Sequence, residues 1–294
     1  MSVYFQVEEY HCPQDLGQAV DILSRFGNRA RLIAGGTDIL PLRPGVKKLD
    51  GIHHWVDIAK LGLDYVKKEK GHIHIGAATA INTMGASPLF LPGPYGALSD
   101  AAGAHSTATI RNRATVGGNL CNASPCGDLA LPLLVLDAIL VAAGPKGQRY
   151  IPIESFFKGA NYSALSKEEV LLEVRIPLGS QKTGTSFLKL RRHQTAIDMA
   201  VVNVATSLSC KEKRCEAAGI ALGAVAPIPL RAKKAESVLT GAKLSKEIIQ
   251  KAAATAAAEA KPIDDLRATA VYRKKMVAVL VRRSLENSMG RCGQ

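Results

Sequence analysis

Over the first sixty residues, the apolar positions form one amphipathic stretch between short strand-like runs. Leu16, Ala19, Val20, Ile22, Leu23 and Phe26 recur at helical spacing, which predicts a helix over 15–26 stopped by Gly27-Asn28. Runs at 4–8, 31–34 and 54–57 predict strands, the first broken by Cys12-Pro13. A βαβ-type unit over 1–60 is the expectation. Residues 61–176 alternate strand and turn. His72 to Ala77 alternates at period two, as a half-buried strand does. Helical patterns cover 95–105 and 129–136. Runs at 138–143 and 148–153 flank the turn Gly144-Pro145-Lys146-Gly147 as a hairpin, and a strand at 170–176 is closed by Pro177. Beyond Pro177 the pattern changes. Strands are expected at 186–191, 199–209 and 216–224, the last two joined by the charged turn 211–214. Helices are expected near 232–240, 245–260 and 268–286. A three-stranded sheet with helices over 177–294 completes three units without internal repeats.

Composition narrows the class. A chain of 294 residues, 47% hydrophobic and 21% charged, fits a globular protein with a sizeable core. It holds no run of about eighteen apolar residues, so no membrane span is expected. The N-terminus lacks a basic segment followed by an apolar one, so no secretory signal is expected and the cytoplasm is the natural compartment. Cysteines at 12, 121, 126, 210, 215 and 292 are sparse, and the five-residue spacings differ from metal-binding C-x-x-C pairs. Reduced thiols without a metal are expected. The net charge of +13 raises the question of nucleic acid. Aromatics are few, basic residues are dispersed, and neither zinc-finger spacing nor an RNP-like run is present. The charge is either a solvated surface or a docking face for an acidic partner.

Two glycine-rich segments carry the candidate chemistry: Ala34-Gly35-Gly36-Thr37-Asp38, and 109–120 with its centre at Thr115-Val116-Gly117-Gly118-Asn119. Glycine pairs admit a close backbone approach, and successive amides in such turns form anion-binding nests. Two nests about eighty residues apart suggest one long ligand with a doubly charged centre, such as a dinucleotide pyrophosphate. The G-x-G-x-x-G fingerprint of the Rossmann fold is absent.

The segments AGGTDILP (34–41), TIRNRATVGGNLCNASPCGDLALPLLVLDA (109–138) and RRHQTAIDMAVVNVA (191–205) occur in order along the chain. Together they resemble the FAD-binding (medium) subunit of the molybdenum hydroxylases, the CO dehydrogenase/xanthine dehydrogenase flavoprotein family. The resemblance spans the whole chain. It implies an α+β fold: a two-subdomain FAD-binding part of the PCMH/vanillyl-alcohol-oxidase type (1–60 and 61–176) and a C-terminal sheet-plus-helices domain (177–294).

The resemblance also implies site residues. Ala34, Gly35, Gly36, Thr37 and Asp38 would clasp the FAD diphosphate with Thr115, Val116, Gly117, Gly118 and Asn119, mostly through backbone amides, and Thr109 opens that motif. Asp128 falls where the family binds the adenosine ribose; its other reading is a helix N-cap. His105 and Ser106 lie near the isoalloxazine ring, or His105 is an exposed loop residue. Met199 stands where some members place an aromatic beside the ring. One branch of the family carries a cysteine-rich insertion for an extra [4Fe-4S] cluster. Here Asp137 runs directly into the hairpin, so no cluster is expected in this chain. No acid–base dyad is evident among the histidines, and no catalytic residue is assigned.

Carried over, the function is electron transfer. A molybdopterin-binding large subunit oxidises substrate, a small subunit relays electrons through [2Fe-2S] clusters, and this subunit's FAD passes them to a soluble acceptor such as NAD or ferredoxin. A dimer of heterotrimers is implied by resemblance only. The alternative is a self-contained FAD-dependent reductase on the same fold, which would need its own proton donor.

Overall fold

The computed structural model describes residues 7–39, 51–180, 182–193, 195, 197–212 and 214–292. Residues 4–6 of the first expected strand, Leu40 and Pro41 of the first motif, Gln194 and Ala196 of the third, and Lys213 of the charged turn lie outside them.

Three short parallel strands, β1 (Glu9–His11), β2 (Ala30–Ile33) and β3 (His54–Asp57), form the first sheet in the order β1-β3-β2. Helix α1 (Leu16–Phe26) joins β1 to β2. Its N-cap Asp15 accepts from the Gln18 amide at 2.8 Å, and Ala19, Val20 and Leu23 are buried. These side chains pack with Val56 against Val141, Ala143, Val170 and Leu172 of the next sheet. One apolar cluster thereby fixes the first sheet on the second.

The second sheet contains β4 (Val66–Glu69), β5 (His72–Gly76), β6 (Ile139–Gly144) and β7 (Gly147–Pro152). A small hairpin of β8 (Phe157–Gly159) and β9 (Tyr162–Ser163) precedes its central strand, β10 (Val170–Pro177). The order is β4-β5-β10-β6-β7, antiparallel throughout. β10 has neighbours on both sides and is almost wholly buried, which explains its near-continuous apolar run. Five short helices connect β5 to β6: α2 (Ile81–Gly85), α3 (Gly96–Ala104), α4 (Ala108–Arg111), α5 (Val116–Asn122) and α6 (Ala130–Val135). Leu98, Leu120 and Leu131 from α3, α5 and α6 join Ile75 and Val174 in the largest core.

The third sheet runs β11 (Thr183–Arg191), β12 (Ala200–Lys211), β13 (Arg214–Gly223) and β14 (Leu230–Arg231) in sequence order. The expected sheet thus gains a fourth strand, too short to leave a periodic signal. Residues of β12 alternate between two cores. Ala205 belongs to the central core, while Val202 and Val204 face α7 (Lys233–Leu239), α8 (Lys246–Glu259) and α9 (Ala270–Arg291).

Candidate FAD site

A cavity of 640 Å³ lies between the first two sheets, lined mainly by residues of 28–39, 114–122 and 161–171. Its size falls within the range of ligand pockets, about 300–1,000 Å³. β2 delivers the chain into it. The backbone turns at Gly36, where φ is +69°, and the Ile39 amide closes the turn on the Gly36 carbonyl at 3.1 Å. A Cβ on Gly35 would lie 1.8 Å from the Arg113 carbonyl oxygen, so this loop packs directly on the backbone before the second segment. Among the described residues, no backbone carbonyl accepts from the amides of Gly35, Gly36 or Thr37. No described backbone carbonyl thus competes with an anion for these donors.

The second segment is built differently from the expected nest: Val116–Asn122 is helix α5. The Val116 amide donates to the Thr79 carbonyl at 2.9 Å and that of Gly117 to the Ala77 carbonyl at 2.8 Å. The Gly118 amide donates to Thr115 Oγ1 at 3.0 Å, and that of Asn119 to the Thr115 carbonyl at 3.0 Å. Its first amides are thus spent within the chain. A Cβ on Gly117 would stand 2.7 Å from the Ala77 carbonyl oxygen, so this glycine serves the fold itself. What the segment offers the cavity is its side chains. Thr115 and Asn119 line it, and Asn119 Oδ1 is buried without a hydrogen-bond partner among the described residues. An orphaned acceptor is costly unless a ligand satisfies it.

The remaining expected residues divide. Ala34, Thr37, Asp38, Gly118 and His105 line the cavity with those already named; Ser106, Thr109, Val116, Asp128 and Met199 do not. Asp128 sits behind His105, buried at 3% exposure. Its Oδ2 accepts from Lys189 Nζ at 2.8 Å and lies 3.1 Å from His105 Nδ1, while Oδ1 accepts from Asn203 Nδ2 at 3.2 Å. The N-cap alternative is overturned, because Leu129 occupies the cap of α6 and no side chain caps it. The reading of His105 as a freely exposed loop residue is also corrected. Its carbonyl and that of Ser106 accept from Arg111 Nη1 at 3.2 and 3.0 Å, and Arg191 donates to the Ala104 carbonyl. Ser106 takes a positive φ of 42° at this junction. Met199 is half-exposed, with its sulfur 3.8 Å from Cys126 Sγ and 3.9 Å from Arg267 Nη2. Beside it, Asp198 accepts from the His193 amide at 2.7 Å, and that bond holds its carboxyl below the ordinary range.

Sequence reasoning missed several participants. Arg31 of β2 lines the cavity, and burial lowers its pKa without neutralising so strong a base. Lys167 lines it too, and donates to Asn28 Oδ1 from the opposite wall. Glu169 is clamped by Arg149 at 2.6 and 2.9 Å and by the Ser166 amide at 2.6 Å. Lys189 and Asn203 were detectable in principle, since each is a polar residue inside an otherwise apolar strand pattern.

Residues 5–179 match the family described as the FAD binding domain in molybdopterin dehydrogenase, and 185–288 match the CO dehydrogenase flavoprotein C-terminal domain. The chain belongs to this flavoprotein family. It is a FAD-binding subunit of the molybdenum hydroxylase type, and so an oxidoreductase component. Similar proteins span its whole length. The carbon monoxide dehydrogenase medium chain of Hydrogenophaga pseudoflava is 33% identical, covering 97% of this chain and 98% of its own. A putative xanthine dehydrogenase FAD-binding subunit of Escherichia coli is 27% identical, covering 98% of each. Among solved structures, carbon monoxide dehydrogenase from H. pseudoflava superposes with a TM-score of 0.92 at 33% identity, covering 99% of this chain and 100% of that one. Quinoline 2-oxidoreductase from Pseudomonas putida 86 gives 0.88 at 25% identity, with 99% and 100% covered. The family's cofactor fits the residues present. A close-packed glycine loop whose amides meet no described backbone acceptor and two cationic side chains suit a dinucleotide's charged centre, and the orphaned Asn119 Oδ1 suits one of its hydroxyls. Among the described residues, no helix is long and apolar enough to cross a membrane.

Proposed function

We propose that this chain is the electron-transfer subunit of a heteromeric molybdenum hydroxylase, receiving electrons from [2Fe-2S] clusters of a small partner and delivering them to a soluble acceptor, NAD, ferredoxin or another. The carrying observation is the loop at Gly35-Gly36, seated on Arg113, whose amides meet no backbone acceptor among the described residues, in the same cavity as Asn119 Oδ1, which has no partner among them. When bound, FAD supplies the junction between one-electron and two-electron chemistry.

The chain's own residues bind and orient. Ala34 to Asp38 hold the diphosphate by backbone amides and the Thr37 hydroxyl. Thr115 holds it by its hydroxyl and Asn119 by its side-chain NH2, while Asn119 Oδ1 accepts from a hydroxyl of the same ligand; Gly117 and Gly118 keep that wall low and Val116 anchors it from the core. Arg31 and Lys167 balance its charge. His105 and Ser106 lie at the ring end, braced by Asp128; Thr109 and Met199 belong to the rim. For Asp128 to serve the ribose, one of its present donors must yield to a hydroxyl. The chain contributes position and electrostatics, which is the part an electron-transfer subunit plays around its cofactor.

The three sheets are taken as the cores of units 1–60, 61–176 and 177–294. Relatives are medium chains of molybdenum enzymes, one of them solved as a Cu,Mo-CO dehydrogenase. A molybdopterin-binding large subunit and an iron–sulfur small subunit, paired as a dimer of heterotrimers in the cytoplasm, are therefore the proposed partners.

The test is the absorbance spectrum of the natively purified protein, with co-purifying chains identified by mass. A flavin spectrum with iron–sulfur features that vanish when partners are stripped is expected. A lone flavin-containing chain that turns over a small substrate, or a chain that takes up no flavin when FAD is added, overturns the proposal.

A further inference from the structure

The edge of the first sheet opposite β2 carries a cluster that the flavin site does not use. Residues two apart in a strand share a face, so Glu9 and His11 of β1 point the same way. The parallel register sets His54 of β3 opposite Glu9, on that face. Phe26, the last residue of α1, fixes the imidazoles: its ring stacks on His54 at 3.6 Å between centroids and lies 5.6 Å from that of His11. His11 Nε2 and His54 Nδ1 are 3.2 Å apart. One donor atom from each of Glu9, His11 and His54 lies within 4.8 Å of the others. His54 is only 5% exposed, and its Nε2 has no hydrogen-bond partner among the described residues, although Glu8 Oε2 stands 3.4 Å away.

We propose that Glu9, His11 and His54 bind one borderline divalent metal ion of the Zn²⁺ or Co²⁺ class. Two imidazole nitrogens with one carboxylate suit such ions, whereas Mg²⁺ and Ca²⁺ prefer all-oxygen shells. Nitrogens bound to a tetrahedral Zn²⁺ at its usual bond length stand about 3.3 Å apart, so the ring nitrogens are already spaced for one ion. Glu8 is placed behind His54 as the carboxylate that orients a ligating imidazole from outside the coordination shell. The fourth position is left to water. Arg25 and Arg29 lie over the Phe26 ring at 5.2 and 5.8 Å, and their charge opposes that of Glu8 and Glu9 and lowers the affinity. The ion would pin edge strand β1 to β3, and so stiffen the sheet whose other edge feeds the Gly35-Gly36 loop.

Titration of the full chain with Co²⁺ tests the proposal. One equivalent should produce the visible bands of a tetrahedral ion, and Zn²⁺ should displace them and raise the thermal midpoint. His11→Gln should abolish the bands. Glu8→Gln should weaken binding about tenfold to a hundredfold. His54→Gln endangers folding at a side chain 6% exposed, so His11, at 11%, carries the test. Absence of saturable binding shows that the two histidines share only a hydrogen bond, and binding undiminished in His11→Gln places the ion elsewhere. Either result overturns the proposal.

Discussion

Asp128 concentrates three interactions at one buried carboxylate: the Lys189 ammonium, the His105 imidazole and the Asn203 amide. The side chains of Asp128 and Lys189 are 4% and 6% exposed, so solvent screens the pair little. Removing one partner from such a pair strands a buried charge and costs about 3–5 kcal/mol. Asp128→Ala should therefore lower the stability of the FAD-free chain by that order, and also lower flavin retention by releasing His105. Lys189→Met removes the stranded charge, so the double variant should be clearly more stable than the sum of the single losses implies. Denaturant titration of the four apo proteins measures the coupling. An Asp128→Ala chain as stable as the parent would show that the pair carries no weight.

At the scale of elements, strong periodicity was legible. The helix expected over 15–26 is Leu16–Phe26, the alternating run at 72–77 is His72–Gly76, and the Gly144–Gly147 turn joins β6 to β7. Elements formed by tertiary demand were not. β4 is Val-Lys-Lys-Glu, an edge strand with mostly exposed side chains, and β14 spans two residues. The instructive case is α5. Two consecutive glycines lower helix propensity by about 1 kcal/mol each, so the sequence reads as a loop. Thr115 caps the helix, and the carbonyls of Ala77 and Thr79 take its first amides, which outweighs that propensity. In the site, the glycine pairs were visible, but Lys189 reaches Asp128 across 61 residues of chain, a pairing no local pattern encodes.

The same geometry separates the two glycines of α5. Gly117→Ala drives a methyl group against the Ala77 backbone and should destabilise even the apo chain, by about 1–3 kcal/mol. At Gly118 the added Cβ meets only Thr115 Oγ1, at 2.9 Å. Loss of that cap, about 1 kcal/mol, is offset by a similar gain in helix propensity. Gly118→Ala should therefore keep its apo thermal midpoint while losing flavin, because its Cβ enters the cavity wall. Normal flavin content in Gly118→Ala would remove this glycine from the diphosphate site.

Across the whole molecule, carboxylates with depressed pKa values hold separate layers, so acid should loosen several layers together. In the helical layer, burial would raise the pKa of Asp265, but bonds from the Arg267 and Ala268 amides and from Arg273 outweigh it and hold the group at about 2. In the central sheet, burial likewise opposes ionisation of Glu173, and Tyr65, Arg175 and His74 together bring its pKa below the ordinary value. At the cavity wall, the Arg149 hydrogen bonds lower that of Glu169. A carboxyl with a lower pKa in the folded state stabilises the fold above its unfolded value, about 4, and loses that contribution as pH falls through the folded value. The share of stability due to these groups should be constant above about pH 5 and should decline between about pH 4 and 2. Asp265→Asn should flatten the lowest part of that decline, since it removes the group with the pKa near 2 while keeping a side-chain acceptor for the Arg273 guanidinium. Thermal midpoints of parent and variant across this range decide the matter: parallel acid limbs would exclude Asp265 as a proton-linked brace, and converging limbs would identify the α9 layer as the last to take up its proton.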